Sequence, residues 1–563
     1  MARTQPTSRF IDGVGHSGGT PAHLPPGRGG HDNAYPTGAP GTAAATARPI
    51  RPTSHVLTAP VTPLVWPARY RVATTTAETA DCIVITGPPP ITTTAVNRRW
   101  GQVVLPRPRR RESVPRPPLG RRTRGIWRQR TCLALALLLA ALTSIRPAAA
   151  EDAPPPPPAP PIERLFAPAK EAMKDLPPFL RDTDLKLHWR SYYFNRENPE
   201  GTDNEAWAFG GWISYRSGWL FDVFGLGATF YGSAPLYAPD DKDGTALLKP
   251  GQEGYSVIGE AYAAIRYEDY VLVKGYRQLV NQPYINPIDN RMTPNTFEGI
   301  TAGGKVDVVE YFAGYLWKIK PRNEDNFIFM SQQAGAAGSE DGVMLGGVRV
   351  TPLVGLRIDA AEQYGINTFN TVYLEGDYLR PLDDNWKLRL GAQFTDQRAV
   401  GDALVANAAK RNWSTQQGGV RVQALYRDLT LTSGFSITGS GNSIQSPWGN
   451  SPNYVLMMDR DFNRANEKAV LVGAAYDFSK LVTQGLSATF NFAAGWDAIN
   501  PKTRASAPDQ REYNLTVDYR NPWPWPSFLQ GWWLRVRGGI LEQDGARLGW
   551  QVRVILNWER DLL

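Results

Sequence analysis

The sequence predicts an all-β fold, a transmembrane antiparallel β-barrel of about 18 strands. Three observations predict it. From Leu185 onward, apolar and polar residues alternate with a period of two, in segments of about ten residues. Many of the apolar faces begin or end in Trp or Tyr, which two membrane–water interfaces select. The connections alternate between tight turns and long loops, as in a barrel that is plain at one rim and elaborated at the other.

The front of the chain has a different character. Its first 150 residues carry 20 Arg, no Lys and 5 Asp+Glu; the remainder carries 41 Lys+Arg and 48 Asp+Glu. The net charge of +8 therefore belongs to the front, and a nucleic-acid partner read from it would be an error. Residues 1–120 are rich in Pro, Arg, Thr and Ala, without sustained periodicity. They read as a non-structural upstream extension, either translated only on paper up to about residue 113 or real and disordered. Residues 121–150 read as a secretory signal peptide. Arg121, Arg122, Arg124, Arg128 and Arg130 precede the apolar run Cys132–Leu142, and the small residues of Pro147-Ala148-Ala149-Ala150 place cleavage after Ala150. That run is too short for a transmembrane helix. Residues 151–184 form a Pro-rich linker (Pro154–Pro158) and a short amphipathic element over 162–184, expected to break at Pro168, Pro177 and Pro178.

Residues 185–563 form the barrel domain. Trp550, Val552, Val554, Leu556 and Trp558 alternate with Gly549, Gln551, Arg553, Ile555 and Asn557. Tyr513, Leu515, Val517 and Tyr519 alternate with Glu512, Asn514, Thr516 and Asp518; the segments from Trp386 and Leu486 behave likewise. Strands are expected from near residues 185, 205, 219, 257, 270, 296, 306, 343, 353, 369, 385, 417, 429, 467, 485, 511, 531 and 547. Tight connections are expected at Ser217-Gly218, Tyr267–Asp269, Thr351-Pro352, Arg380–Asn385 and Arg427–Leu429, and long loops at 232–256, 278–295, 318–342, 397–416, 438–466 and 496–510. A sheet in hydrocarbon must close, because each unpaired edge group costs several kcal/mol. A barrel this wide cannot be filled by its own wall side chains, so it encloses water.

Much chemistry is excluded. Both cysteines (Cys82, Cys132) lie in the front, and His188 is the one histidine of the back. Thiolate nucleophiles, disulfides, Cys-ligated metals and multi-His metal sites are therefore not expected in the barrel, and no cofactor is expected. His188 falls on the lumen face, without a motif that supplies a nucleophile and an orienting carboxylate.

Several segments resemble the OprD-type outer-membrane porins. Asp182-Thr183-Asp184-Leu185 through Arg190-Ser191-Tyr192-Tyr193-Phe194-Asn195-Arg196 is similar to that family's opening strand, and Trp207-Ala208 with Tyr215-Arg216-Ser217-Gly218 to its next hairpin. Asp289-Asn290-Arg291-Met292-Thr293-Pro294-Asn295-Thr296-Phe297-Glu298-Gly299 resembles the signature closing the third long loop. Asp461-Phe462-Asn463-Arg464 with Glu467 and Tyr476-Asp477-Phe478 resembles the exit of the seventh. The resemblance covers about 180–563. It implies an outer-membrane location with short periplasmic turns, long extracellular loops and termini on the turn side. It implies that the third and seventh loops fold inward, and that a row of basic side chains passes small carboxylate-bearing solutes such as amino acids, peptides or organic acids. It also implies contact with lipid and with the assembly machinery. That machinery usually reads a terminal aromatic; this chain ends Asp561-Leu562-Leu563, with Trp558 as the substitute. A monomer and a homotrimer both stay open. An outer-membrane hydrolase barrel and a closed structural or adhesive barrel are the other functional readings.

On this reading Asp289, Arg291 and Glu298 mark the constriction, with Pro287 and Pro294 limiting the loop's freedom; an Asp289–Arg291 bridge that merely holds the loop is the other account. Parity points Arg190, Lys274, Arg349, Arg357, Lys387, Arg389, Arg421, Arg427, Arg535, Arg537 and Arg553 into the lumen as a basic track. The competing account pairs them with the lumen acids Glu260, Glu375, Asp377, Glu512 and Asp518.

Overall fold

The structure, a computed structural model, describes residues 161–563 apart from 202, 406–409 and 523–529. The upstream extension, the signal peptide and the Pro154–Pro158 linker lie outside the described residues. The first element is helix α1, Pro161–Met173, which continues through Pro168 instead of breaking there. The short helix α2, Pro178–Arg181, follows the break at Pro177.

Eighteen antiparallel strands then follow, each paired to its chain neighbours. They are β1 Asp184–Glu197, β2 Asp203–Arg216, β3 Phe224–Tyr237, β4 Tyr255–Tyr267, β5 Val271–Gln278 and β6 Thr296–Val306. Next come β7 Val309–Lys320, β8 Val343–Leu353, β9 Leu356–Gly365, β10 Phe369–Pro381, β11 Trp386–Ala399 and β12 Ser414–Tyr426. The last six are β13 Leu429–Thr438, β14 Lys468–Asp477, β15 Leu486–Trp496, β16 Gln510–Arg520, β17 Trp532–Gln543 and β18 Gly549–Asp561. A two-residue strand, Ile328–Phe329, adds to the end of β7. β18 pairs with β1 from Lys186↔Asp561 to Glu197↔Trp550, so the sheet closes and no edge meets lipid.

The outward face is an apolar belt that includes Phe230, Ile300, Val348, Leu374, Phe394, Val422, Phe490 and Leu515, all exposed. Near the short-turn rim aromatic pairs cap it: Trp386–Tyr426, Tyr476–Phe478 and Trp532–Trp558. Long connections at 238–254, 279–295, 321–342, 439–467 and 497–509 leave the strands at the opposite rim.

Boundaries depart from expectation in places. β3 begins at Phe224, because Trp219–Val223 forms the turn, with Phe221 and Asp222 at positive φ. β7 begins at Val309 after Asp307 at positive φ. Thr351 and Pro352 lie inside β8, and the turn is Val354-Gly355, where Gly355 takes φ +86°. Pro352 sits beyond the last pairing of β8 with β7, Val309↔Val350, where no ladder donor is needed.

Candidate functional site: a lumen narrowed by two loops

Loop 279–295 crosses the barrel. At one end Tyr284 Oη shares a hydrogen bond with Thr395 Oγ1 of β11 (2.8 Å). At the other, Arg190 Nη1 of β1 donates to Asp289 Oδ1 (2.6 Å). β1 and β11 face each other across eighteen strands, so these contacts span the lumen. The loop is held along the way as well. Arg291 Nε donates to Thr245 O of loop 238–254 (2.7 Å), and Arg322 Nη1 of loop 321–342 donates to Asn290 Oδ1 (2.6 Å). Asn286 exchanges hydrogen bonds with Asn450 of loop 439–467 (2.9 Å each).

Loop 439–467 is the second inward loop. Tyr454 Oη donates to Glu375 Oε1 on β10 (2.8 Å). The backbone N–H groups of Asp459 and Arg460 donate to the Glu512 carboxylate on β16 (2.9 and 2.8 Å). Arg196 of β1 pairs with Asp459 (3.0 Å), and Arg553 Nη2 donates to Met458 O (3.0 Å). The Asp461–Glu467 segment closes the loop: Arg464 pairs with Glu467 (2.6 Å), which also accepts from Gln510 Nε2 (3.0 Å).

A gap lies between the loop tip and the β17–β18–β1 wall. Asp289, Asn290 and Arg291 line one side; Arg190, Tyr192, Trp533, Arg535, Arg537 and Ile555 line the other. Asp289 and Arg291 both line this gap, but they do not bridge each other. Asp289 pairs with Arg190, whose Nη1 also donates to Arg291 O (2.5 Å). The Arg291 side chain is buried behind the tip, its guanidinium 5.1 Å from the Phe194 ring. Burial, with Arg322 and Arg553 beside it, pushes its pKa well down; an arginine stays protonated even so. Glu298 is a correction. It lies two residues from the outward Ile300, on the same side of β6, and binds Arg277 (2.8 Å) and Trp317 Nε1 (3.3 Å), away from the gap.

The basic track meets the acids. Arg349 pairs with Asp359 (2.6 Å), and Arg357 with Asp359 (2.7 Å) and Glu375 (3.0 Å). Arg389 and Arg421 share Asp377 (2.8 and 2.7 Å), and Arg535 pairs with Asp518 (2.6 Å). Lys274 lies over the Tyr262 ring (4.9 Å), and Glu260 accepts from Tyr231 Oη (2.8 Å). Lys387 is exposed at the short-turn end of β11. Arg427 is a second correction. It lies in the β12–β13 turn at φ +50°, with Nε on Asn385 Oδ1 (2.8 Å), at the rim and not on the wall.

Four guanidiniums around the gap have no carboxylate partner among the described residues. Arg537 Nε donates to Thr516 Oγ1 (3.2 Å), Arg553 to Gln551 and Met458, Arg322 to Asn290 and Arg291 to backbone carbonyls. Arg537 lines the gap itself. His188 stacks on Trp212 (3.8 Å, 8°), with Nε2 3.0 Å from Asn557 Oδ1 and Nδ1 3.8 Å from Glu559.

Sequence reasoning missed Asp359, Arg196, Arg322, Trp212 and Trp533. Asp359 shares the parity of Arg357, and Trp533 that of Arg535, so the same test finds both. Arg322 is in a loop, where parity says nothing.

Known proteins share this architecture. A family model described as outer membrane porin, OprD family, matches residues 177–522. Porin D of Pseudomonas aeruginosa is 23% identical over 365 residues, 60% of this chain and 80% of its own. OccK9 (OpdG) of Pseudomonas aeruginosa superposes with a TM-score of 0.61 at 20% identity, over 69% of this chain and 100% of its own. OpdK of the same organism, solved with vanillate, gives 0.59 at 20%, over 68% and 100%. OccAB2 of Acinetobacter baumannii gives 0.62 at 18%, over 69% and 100%.

Proposed function

This chain belongs to the OprD family of outer-membrane porins, and we propose that it is a narrow diffusion channel preferring small carboxylate-bearing solutes such as amino acids, peptides or organic acids. The observation that carries this reading is the charge balance at the gap. Most wall arginines pair with Asp359, Glu375, Asp377 and Asp518, while Arg537, Arg553, Arg291 and Arg322 have no carboxylate at ion-pair distance among the described residues. Excess positive charge therefore gathers around this gap, where close walls weaken solvent screening. Asp289 is itself paired with Arg190, so it does not cancel this excess. The relative solved with vanillate, an aromatic carboxylate, is consistent with this class.

The test is reversal potential in planar bilayers under a KCl gradient, with added carboxylates as blockers. Anion preference and concentration-dependent block by a carboxylate, absent for its neutral amide, support the reading. Cation preference, or equal effects of acid and amide, overturn it.

A further inference from the structure

Helix α1 carries an apolar stripe, of which Leu165 and Ala169 are exposed and Ile162, Phe166 and Met173 half-buried. Ile162, Leu165, Phe166, Ala169 and Met173 fall within an arc of about 100° on a helical projection. Leu165 is 75% exposed, and Leu176 and Leu180, beyond the helix, are exposed too. Lys170, Glu171 and Lys174 stand off the stripe, with Lys174 paired to Glu171 (2.6 Å).

The segment following the helix is pinned to the short-turn rim. Gly218 N–H donates to Phe179 O (2.9 Å), and a Cβ at Gly218 would collide with Pro178 O, so only glycine permits this approach. The pinned turn is itself apolar: Leu220 and Val223 are exposed, and Phe221 is 88% exposed. These residues lie immediately below the outward belt of β2 and β3 and continue it past the last strand pairing. Exposed Leu176 and Leu180 lie in the chain between α1 and this pinned apolar turn.

We propose that α1 lies flat in the periplasmic-leaflet interface of the outer membrane, with its Ile162–Met173 stripe toward the acyl chains and Lys170 and Lys174 among phospholipid headgroups. The helix is then a membrane-surface anchor that fixes where the chain leaves the Pro-rich linker.

Residues 151–563 contain no cysteine, so Cys82→Ser with Cys132→Ser gives a cysteine-free full chain. Leu165→Cys and Glu171→Cys are each labelled with an environment-sensitive fluorophore in phosphatidylethanolamine–phosphatidylglycerol liposomes, with and without acyl-chain-brominated lipid. Heat-dependent gel migration confirms that each barrel is folded. The expected result is a blue-shifted label at 165, quenched by bromine about threefold more than the label at 171. Equal quenching at both positions overturns the proposal. So does a blue-shifted but unquenched 165 label, or efficient Leu165→Cys disulfide linkage between copies, either of which assigns the stripe to a protein partner. Neither outcome depends on which solute the channel passes.

Discussion

Arg535 and Arg537 sit two residues apart on β17, yet only the first meets a carboxylate. Asp518 takes Arg535, while Arg537 faces the Thr516 hydroxyl. Arg537→Gln is therefore expected to weaken anion preference by about 0.5–1 kcal/mol, a factor of about 2–5 in permeability ratio, with the fold unchanged. Arg535→Gln should change it less, because it removes a cation already balanced. Bilayer reversal potentials of the two variants check this; equal shifts would contradict the charge balance at the gap. Arg291 behaves differently, because its side chain holds the loop tip from behind. Arg291→Ala is expected to raise single-channel conductance by loosening the tip, at a stability cost of about 1–3 kcal/mol for the hydrogen bonds to Thr245 and Asn290. Parity alone selected the arginine candidates, of which Arg427 lies in a turn at the rim. It could not show which were neutralised, because pairing depends on the register between strands: Asp359 of β9 reaches Arg349 of β8 only because the two are directly opposed.

At the scale of elements, the fixed points of the inward loops decide the passage. Glu512 has no exposure and accepts from two backbone N–H groups of loop 439–467. Glu512→Ala leaves those donors unpaired, at about 1–3 kcal/mol. It is expected to make the loop cleavable by protease near residue 459 and the current noisier, which limited proteolysis and bilayer recording measure together. The strands were legible as elements because alternation is a local property. The loops' destinations were not. Nothing local in Tyr284 or Tyr454 announces that each hydroxyl ends on a wall strand far away in sequence. Glu298 misled for a related reason: the signature segment runs from the lumen into β6, where successive side chains point to opposite faces.

For the whole molecule, closure depends on one seam. Trp558 of β18 packs on Trp189 (5.2 Å) and Trp532 (6.2 Å), and Trp189 also meets Phe209 (5.6 Å). Trp558→Ala is expected to cost about 1–3 kcal/mol and to lower the temperature at which the compact band disappears in gel migration. Conductance should be unaltered, since the cluster faces outward. The balance of lumen charge sets a second global property. Uncompensated cations at the gap are screened by salt, so anion preference should fall as KCl rises from about 0.1 to 1 M, where the Debye length shrinks from about 10 to 3 Å. A preference independent of salt would place selectivity in shape instead of charge.

The loop from 279 to 295 is fastened at both ends, to Thr395 on one wall and Arg190 on the opposite one. A tie-beam of this kind braces the cross-section it spans. Ovalisation of the cylinder under lateral bilayer stress must stretch or slacken the beam, and Asp289 moves with it. Aperture and roundness become one mechanical variable, so cutting either fastening should make transport responsive to membrane tension.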